Sequence, residues 1–144
     1  RTDIPSYYSE WLVNRLKEKY VLVRNPMNIH QVSKIDLSPD VVDAIVFWTK
    51  NSTPMLSYLD QINDYTYYFQ FTLSAYGPDV ERNLPSKNKI IIPTFQQLSK
   101  EIGKEKVIWR YDPIFFNEQY SIEYHCKYFE VLASNWVIIR RSVL

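Results

Sequence analysis

Charged and amide side chains stand at the end of each short apolar run that the sequence predicts to be a strand. The strand-end positions are Arg24, Lys50, Gln70, Arg110 and Asp112, and Asp3 precedes the first helix, where a strand upstream of that helix would end. In parallel α/β folds, ligands bind beyond the carboxyl ends of the strands. The pattern therefore predicts that these residues form one ligand site.

The residue types at these positions indicate the chemistry of the expected ligand. Arg24, Lys50 and Arg110 are cations, and such side chains hold carboxylate or phosphate groups through charge-assisted hydrogen bonds. The acidic and amide members of the set can orient amine or hydroxyl groups. Structural interpretations stay open. Arg110 and Asp112 could pair with each other, and Lys50 could be an exposed turn residue. Asp3 could be a charge favoured at a helix N-terminus.

The sequence offers few ligands for a metal or a cofactor. Cys126 is the only cysteine, which excludes an intramolecular disulfide and any iron–sulfur or zinc–thiolate site built within this chain. His30 and His125 have no partner at metal-ligand spacing, so no metal site is expected. Glycine occurs only at Gly77 and Gly103, which excludes a glycine-rich phosphate loop. We expect no cofactor in this chain.

The elements that would position the site residues follow from the apolar pattern. Helices are predicted over 6–19 and from near Ser52, Thr94 and Ser121, whereas residues 27–40 are polar and look irregular. Strands are predicted near 21–24, 44–48, 67–73 and 106–110, and a long connection is predicted over 74–93. Strands that alternate with helices and read as continuous apolar runs favour a parallel sheet. The predicted fold class is α/β, with parallel strand–helix repeats forming part of a TIM-like barrel.

Composition limits the classes of partner and compartment. The 144 residues are expected to form a single α/β domain, and the net charge is only +1, with 17 basic and 16 acidic residues. Such a balance creates no global field that attracts nucleic acid or an anionic membrane. The 12 tyrosines could stack bases, but most fall on apolar faces, as core residues would. With no apolar run of about 20 residues and no signal-peptide pattern, a cytoplasmic location is expected.

Five sequence blocks in order resemble one protein family. The blocks are Arg1-Thr2-Asp3-Ile4-Pro5, Val23-Arg24-Asn25-Pro26, Val46-Phe47-Trp48-Thr49-Lys50-Asn51, Tyr68-Phe69-Gln70-Phe71-Thr72 and Trp109-Arg110-Tyr111-Asp112-Pro113. Over roughly residues 1–135 the chain resembles an uncharacterised bacterial family, domain of unknown function 1848. The resemblance implies longer relatives that end in a cysteine cluster similar to the iron–sulfur motif of radical S-adenosylmethionine enzymes. It also implies an α/β barrel with substrate and cofactor at the strand carboxyl ends.

Two functional hypotheses follow. The first is that the chain is the N-terminal half of an iron–sulfur, radical-S-adenosylmethionine-like enzyme. The cluster and S-adenosylmethionine would then belong to the full-length parent, and the fragment would be inactive. The alternative is a cluster-free barrel domain that binds a small anionic or aromatic ligand. A half barrel leaves open sheet edges, so we expect the chain to associate with itself. Residues 135–144 are interpreted as a frame-shift product, since codons permitted there can be read in another frame as a family-like sequence.

Overall fold

A computed structural model describes the backbone of residues 2–140 and the side chains of residues 2–135. The helices are α1 (Ile4–Tyr7), α2 (Ser9–Glu18), α3 (Thr53–Leu56), α4 (Ile92–Ile102) and α5 (Ile122–Arg140). The strands are β1 (Tyr20–Asn25), β2 (Asn28–Asp36), β3 (Ile45–Thr49), β4 (Tyr67–Thr72) and β5 (Val107–Arg110). Short 3₁₀ helices span Leu59–Ile62 and Lys104–Lys106, and a π-helical turn at Lys87–Ile91 leads into α4. Most of the stretch interpreted as a frame-shift product therefore lies outside the described side chains.

The strands predicted near 44–48, 67–73 and 106–110 form a parallel sheet in the order β3-β4-β5. The register pairs Trp48 with Gln70 and Thr72 with Arg110, which brings the carboxyl ends of all three strands to one edge. Helical segments connect consecutive strands, as crossovers between parallel strands require. The predictions of a parallel sheet and of mixed α/β class are confirmed. The described strands form an open sheet and not a closed barrel.

The first strand was wrongly assigned to the parallel sheet. β1 pairs antiparallel with β2 in a separate two-stranded hairpin, and β2 lies in the stretch that was expected to be irregular. Every position of β2 is exposed. A strand without a buried face has no reason to alternate polar and apolar residues, so periodicity could not reveal it.

The two ends of this hairpin are held together at its base. The backbone N–H of Leu37 donates to the carbonyl of Lys19 at 2.9 Å. The Tyr65 hydroxyl reaches both flanking segments, at 2.7 Å from the Leu37 carbonyl and 3.2 Å from the Leu16 carbonyl. Lys19 adopts φ 60°, in the left-handed region, and so ends α2 and turns the chain into β1.

The predicted helix over 6–19 is divided into two helices. Asp3 caps α1 by accepting from the backbone N–H of Ser6 at 3.0 Å, and Pro5 occupies the first turn, where proline is tolerated. Tyr8 has non-helical dihedral angles and separates the two helices. The buried face of α2 carries Val13 and Leu16, whereas Tyr8 and Trp11 are exposed.

The core lies between the sheet and the helices. Phe47, Phe69 and Phe71 point to the helical side and are almost fully buried, and the rings of Phe47 and Phe69 stack at 4.7 Å. The alternate residues of the three strands lie on the opposite side, which we call the open face because its residues are half-buried or exposed. The open face consists of Val46, Trp48, Tyr68, Gln70, Thr72, Ile108 and Arg110. Within residues 2–140, no helix is long and apolar enough to span a lipid bilayer.

Candidate functional site

The open face ends in a fixed group of polar side chains around Arg110, the last residue of β5. Its guanidinium donates to Gln70 Oε1 at 2.9 Å and to Asp112 Oδ2 at 2.6 Å. The same guanidinium lies over the ring of Trp48, 4.7 Å from the ring centroid. Since Trp48, Gln70 and Arg110 come from three adjacent strands, the parallel register itself brings them together.

Asp3 fastens the N-terminal segment to the end of β3. Besides capping α1, its carboxylate accepts from the Thr49 hydroxyl at 3.0 Å and from the Lys50 backbone N–H at 2.9 Å. Ser6 adds a hydrogen bond from its hydroxyl to the Asn51 carbonyl at 2.7 Å. The Asp3 carboxylate is thus occupied by internal donors, which supports the helix-capping interpretation of this residue.

Glu81 forms the centre of a second polar group on the same edge of the sheet. This carboxylate comes from the connection after β4, is only 7% exposed and pairs with Lys50 and Lys87. The Lys87 ammonium also donates to the carbonyls of Ser74 and Tyr76. Burial by itself would raise the pKa of Glu81, but the hydrogen bonds from the two lysines outweigh it and the pKa is lowered. Burial lowers the pKa of Lys87, and the pairing with Glu81 offsets this only in part.

The structure brings five of the six sequence-predicted residues to the carboxyl edge of the sheet. Asp3 and Lys50 lie in one group, joined by the hydrogen bond described above. Gln70, Arg110 and Asp112 form the other group. The structural alternative for Arg110 is present as well, because Arg110 and Asp112 are ion-paired.

Arg24, the sixth predicted residue, does not lie at the carboxyl edge of the parallel sheet. It lies in the hairpin, opposite Val32, and its side chain is exposed. The reason is topological: β1 belongs to the antiparallel hairpin, so its end is not at the carboxyl edge of the parallel sheet. Among the described side chains, no interaction joins Arg24 to the other predicted site residues.

Three residues of these groups were missed from the sequence. Trp48 was assigned to a strand but not to the site, although its alternation with Phe47 could have placed it on the open face. Glu81 and Lys87 lie in the long connection, and Glu81 is far in sequence from its partner Lys50. No periodic signal marks such residues, so only the three-dimensional structure reveals them.

A buried aromatic cluster closes the sheet end beside β5. The hydroxyl of Tyr111 lies 2.9 Å from His125 Nδ1, and His125 Nε2 lies 3.1 Å from the carbonyl of Phe115. Because a carbonyl only accepts, Nε2 donates to the Phe115 carbonyl, and the Tyr111 hydroxyl can donate to Nδ1. Burial, together with the neighbouring Tyr76 and Tyr124 hydroxyls, raises the pKa of Tyr111 to about 12. The cluster braces the segment that carries Asp112.

The donor set does not fit an iron–sulfur cluster. Such clusters need several cysteine thiolates, whereas the chain has one cysteine, Cys126, which is exposed on α5. In the part of the chain that the structure describes, no group of three or more His, Cys, Asp and Glu side chains could hold a metal ion.

Two cavities adjoin the polar groups. One, of about 890 Å³, lies between the N-terminal segment and β3 and is lined by Asp3, by residues of β3 such as Val46 and Phe47, and by Gln70 of β4. The other, of about 650 Å³, lies between α1 and the connection after β4, and Lys50 and Glu81 line it. Asp3 lines both cavities.

A family model named Domain of unknown function (DUF1848) matches residues 1–143. The chain belongs to the DUF1848 family. The DUF1848 match extends beyond residue 135, the limit that the sequence blocks suggested, and ends at residue 143. No curated protein and no solved structure matches this DUF1848 chain.

Proposed function

We propose that the open face of this DUF1848 chain binds a small ligand that carries a carboxylate or phosphate next to a flat apolar group. The observation that carries this proposal is the placement of the Arg110 guanidinium on the Trp48 ring, held by Gln70 and Asp112. This corresponds to the cluster-free alternative of the sequence analysis. A ligand with both features would meet the cation and the indole at once.

Arg110 retains the capacity to bind an anion. Its two hydrogen bonds to Gln70 and Asp112 leave further guanidinium N–H donors. The side chain is 30% exposed, so the free donors can be reached from solvent. Trp48 is 53% exposed and offers uncovered indole surface beside the cation.

The surroundings favour binding because they hold the cation in place before the ligand arrives. A guanidinium that is stacked and bonded on two sides loses little side-chain entropy on binding. The ion pair with Asp112 weakens the net positive charge, so planar hydrogen bonding contributes more to selectivity than charge does. In this proposal the ion pair of Lys50 and Glu81 stabilises the fold and does not contact the ligand.

Titration calorimetry with simple probes tests the proposal. Benzoate carries both features, inorganic phosphate only the anion, and benzamide only the ring, so we expect benzoate to bind best. Arg110→Lys keeps the charge but loses the planar donor pair, and charge-assisted hydrogen bonds contribute about 1.5–3 kcal/mol. Benzoate binding should therefore weaken by about tenfold or more.

Arg24→Lys is the matched control, because Arg24 is an exposed arginine of the separate hairpin. It should leave benzoate binding unchanged. Equal binding of benzoate and benzamide, or equal losses in the Arg110 and Arg24 variants, would contradict the proposal.

The barrel and enzyme hypotheses concern a longer protein. We propose that the three parallel strand–helix units of this single domain form part of a TIM-like barrel in such a protein, with ligands bound at the same strand ends. If that parent is a radical-S-adenosylmethionine enzyme, the cluster thiolates must come from outside these 144 residues, since Cys126 is the only cysteine. Sequencing the gene on both sides of the region tests this, and a gene without a downstream cysteine group would contradict it.

A further inference from the structure

Gln70 lies in the middle of the open face, beside both residues that carry the proposed ligand contacts. It belongs to the central strand β4, and the register pairs it with Trp48 of β3 and with Ile108 of β5. The guanidinium of Arg110 reaches across the sheet to its side-chain oxygen at 2.9 Å and to the Trp48 ring. A ligand held by Arg110 and Trp48 would therefore lie next to the Gln70 amide.

The hydrogen bond to Arg110 fixes the orientation of this amide. A guanidinium has donors but no acceptor, so the amide must turn its oxygen Oε1 towards Arg110. The amide nitrogen Nε2 is then turned away from the guanidinium and carries two N–H donors. Among the described residues, Nε2 has no hydrogen-bond partner, and they do not enclose it. Two donors thus remain within reach of a ligand.

Apolar surface flanks these donors on both sides. Trp48 is 53% exposed and Ile108 is 47% exposed, and both stand beside Gln70 on the same face of the sheet. Trp48 and Gln70 also line the cavity of about 890 Å³, which gives room for a flat group next to the amide. A ligand that covers the amide without accepting from it takes away its water and gives nothing in return. Such a donor therefore discriminates between ligands of the same shape.

We infer that Gln70 is a specificity-determining residue that selects ligands whose flat group carries a hydrogen-bond acceptor, such as a ring nitrogen or a ring carbonyl. This inference rests on the proposed function, because it names the class of ligand for the same site. The ligand is then a heteroaromatic ring that bears a carboxylate or phosphate. Arg110 binds the anion, Trp48 contacts the face of the ring, and Gln70 Nε2 donates to the acceptor. A hydrocarbon ring would make the first two contacts and leave the amide without a partner.

Calorimetry with benzoate and the three pyridine carboxylates tests the inference. At neutral pH all four are monoanions of nearly the same shape, and they differ only in whether and where the ring carries a nitrogen. In a site without a donor, a pyridine carboxylate should bind less tightly than benzoate, because its ring nitrogen gives up a hydrogen bond to water. We expect at least one of the three to bind about threefold to tenfold more tightly than benzoate, the effect of one neutral hydrogen bond.

Gln70→Glu is the decisive variant, because it keeps an oxygen for Arg110 but replaces the two donors by an acceptor. Its added charge weakens the binding of every anion, so the quantity compared is the ratio of the dissociation constants of benzoate and the preferred pyridine carboxylate. This preference should disappear or reverse in Gln70→Glu and also in the neutral variant Gln70→Met. Gln61→Glu adds the same charge at an exposed position of the Leu59–Ile62 helix and should keep the preference. Circular dichroism melting shows whether each variant is folded.

The outcomes separate this inference from the proposed function. Benzoate binding that depends on Arg110, without a preference for any pyridine carboxylate, would overturn only the inference about Gln70. A preference that survives in a folded Gln70→Glu or Gln70→Met protein would do the same, since stacking of an electron-poor ring on Trp48 would then explain it. The absence of binding by all four probes would overturn the proposed function, and this inference with it.

Discussion

Replacing Glu81 by glutamine should destabilise the fold more than any other single change of one charge in the described structure. Glu81 is 7% exposed and pairs with Lys50 and Lys87. The neutral amide of the Glu81→Gln variant would leave the half-buried ammonium of Lys87 without a counter-charge, although the carbonyls of Ser74 and Tyr76 would still accept from it. Removing one partner of a buried ion pair costs about 3–5 kcal/mol. The exposed side of Lys50 and the remaining acceptors reduce our expectation to about 2–3 kcal/mol.

Urea denaturation followed by circular dichroism measures this loss. With a slope of about 2 kcal/mol per molar urea, the midpoint near pH 7 should fall by about 1–1.5 M. Glu118→Gln, at an exposed position, is the control and should change stability by less than about 0.5 kcal/mol. A double-mutant cycle with Lys87→Met should give a coupling of about 1–3 kcal/mol.

The pH dependence provides an independent check. The pKa of Glu81 is lowered from 4.5 in the folded protein, so its stabilising contribution is complete above 4.5. That contribution is lost as the pH falls from 4.5 through the lowered folded value. The stability difference between wild type and Glu81→Gln should therefore shrink in acid. A difference that stays constant between about pH 7 and about pH 3, or a midpoint shift no larger than that of Glu118→Gln, would refute the reasoning.

Three further predictions concern other elements. Tyr111→Phe should cost about 1 kcal/mol near pH 7 through the lost hydrogen bond to His125. Because the folded pKa of Tyr111 is raised from 10.0 to about 12, wild type loses stability as the pH rises through that range and the gap should narrow. Urea titrations at about pH 9 and about pH 11.5 would show it, and a widening gap would contradict the pKa direction. Lys19→Gly should leave the melting temperature unchanged or raise it, since glycine adopts the left-handed conformation of this position without strain. Lys17→Gly inside α2 should instead cost about 1 kcal/mol. Equal losses of stability in the two variants would exclude the left-handed conformation at Lys19 as the reason. Phe69→Ala removes a fully buried ring and should cost about 3–5 kcal/mol in urea unfolding, so a cost below about 1 kcal/mol would mean the core assignment is wrong.

The elements that could be predicted from the sequence are those with a buried side. β4 carries Tyr67, Phe69 and Phe71 at alternate buried positions, and its boundaries agree with the prediction to within a residue. The hairpin strand β2 could not be found in this way, because it has no buried face from which a pattern could arise. β1 was assigned to the parallel sheet because no pattern in the sequence marked its actual partner, β2.

The candidate site also has a part that could be predicted from the sequence and a part that could not. Gln70 and Arg110 could be expected to meet because both lie near the ends of neighbouring parallel strands, and the register joins them. The role of Glu81 could not be predicted. Its partners Lys50 and Lys87 lie on either side of it in the chain, and it reaches them only because the connection after β4 folds back onto the sheet edge.

The base of the hairpin has a consequence for how this chain could be rebuilt or could vary. Since the carbonyl of Lys19 accepts from the N–H of Leu37, the hairpin begins and ends at the same point of the structure. The hairpin between Lys19 and Leu37 can therefore differ in length without moving the sheet that follows. Lengthening a surface excursion costs little closure entropy, about 0.6 kcal/mol for each doubling. The hairpin is therefore a place where a short turn, a longer arm or a foreign module could be exchanged while β3, β4 and β5 keep their register.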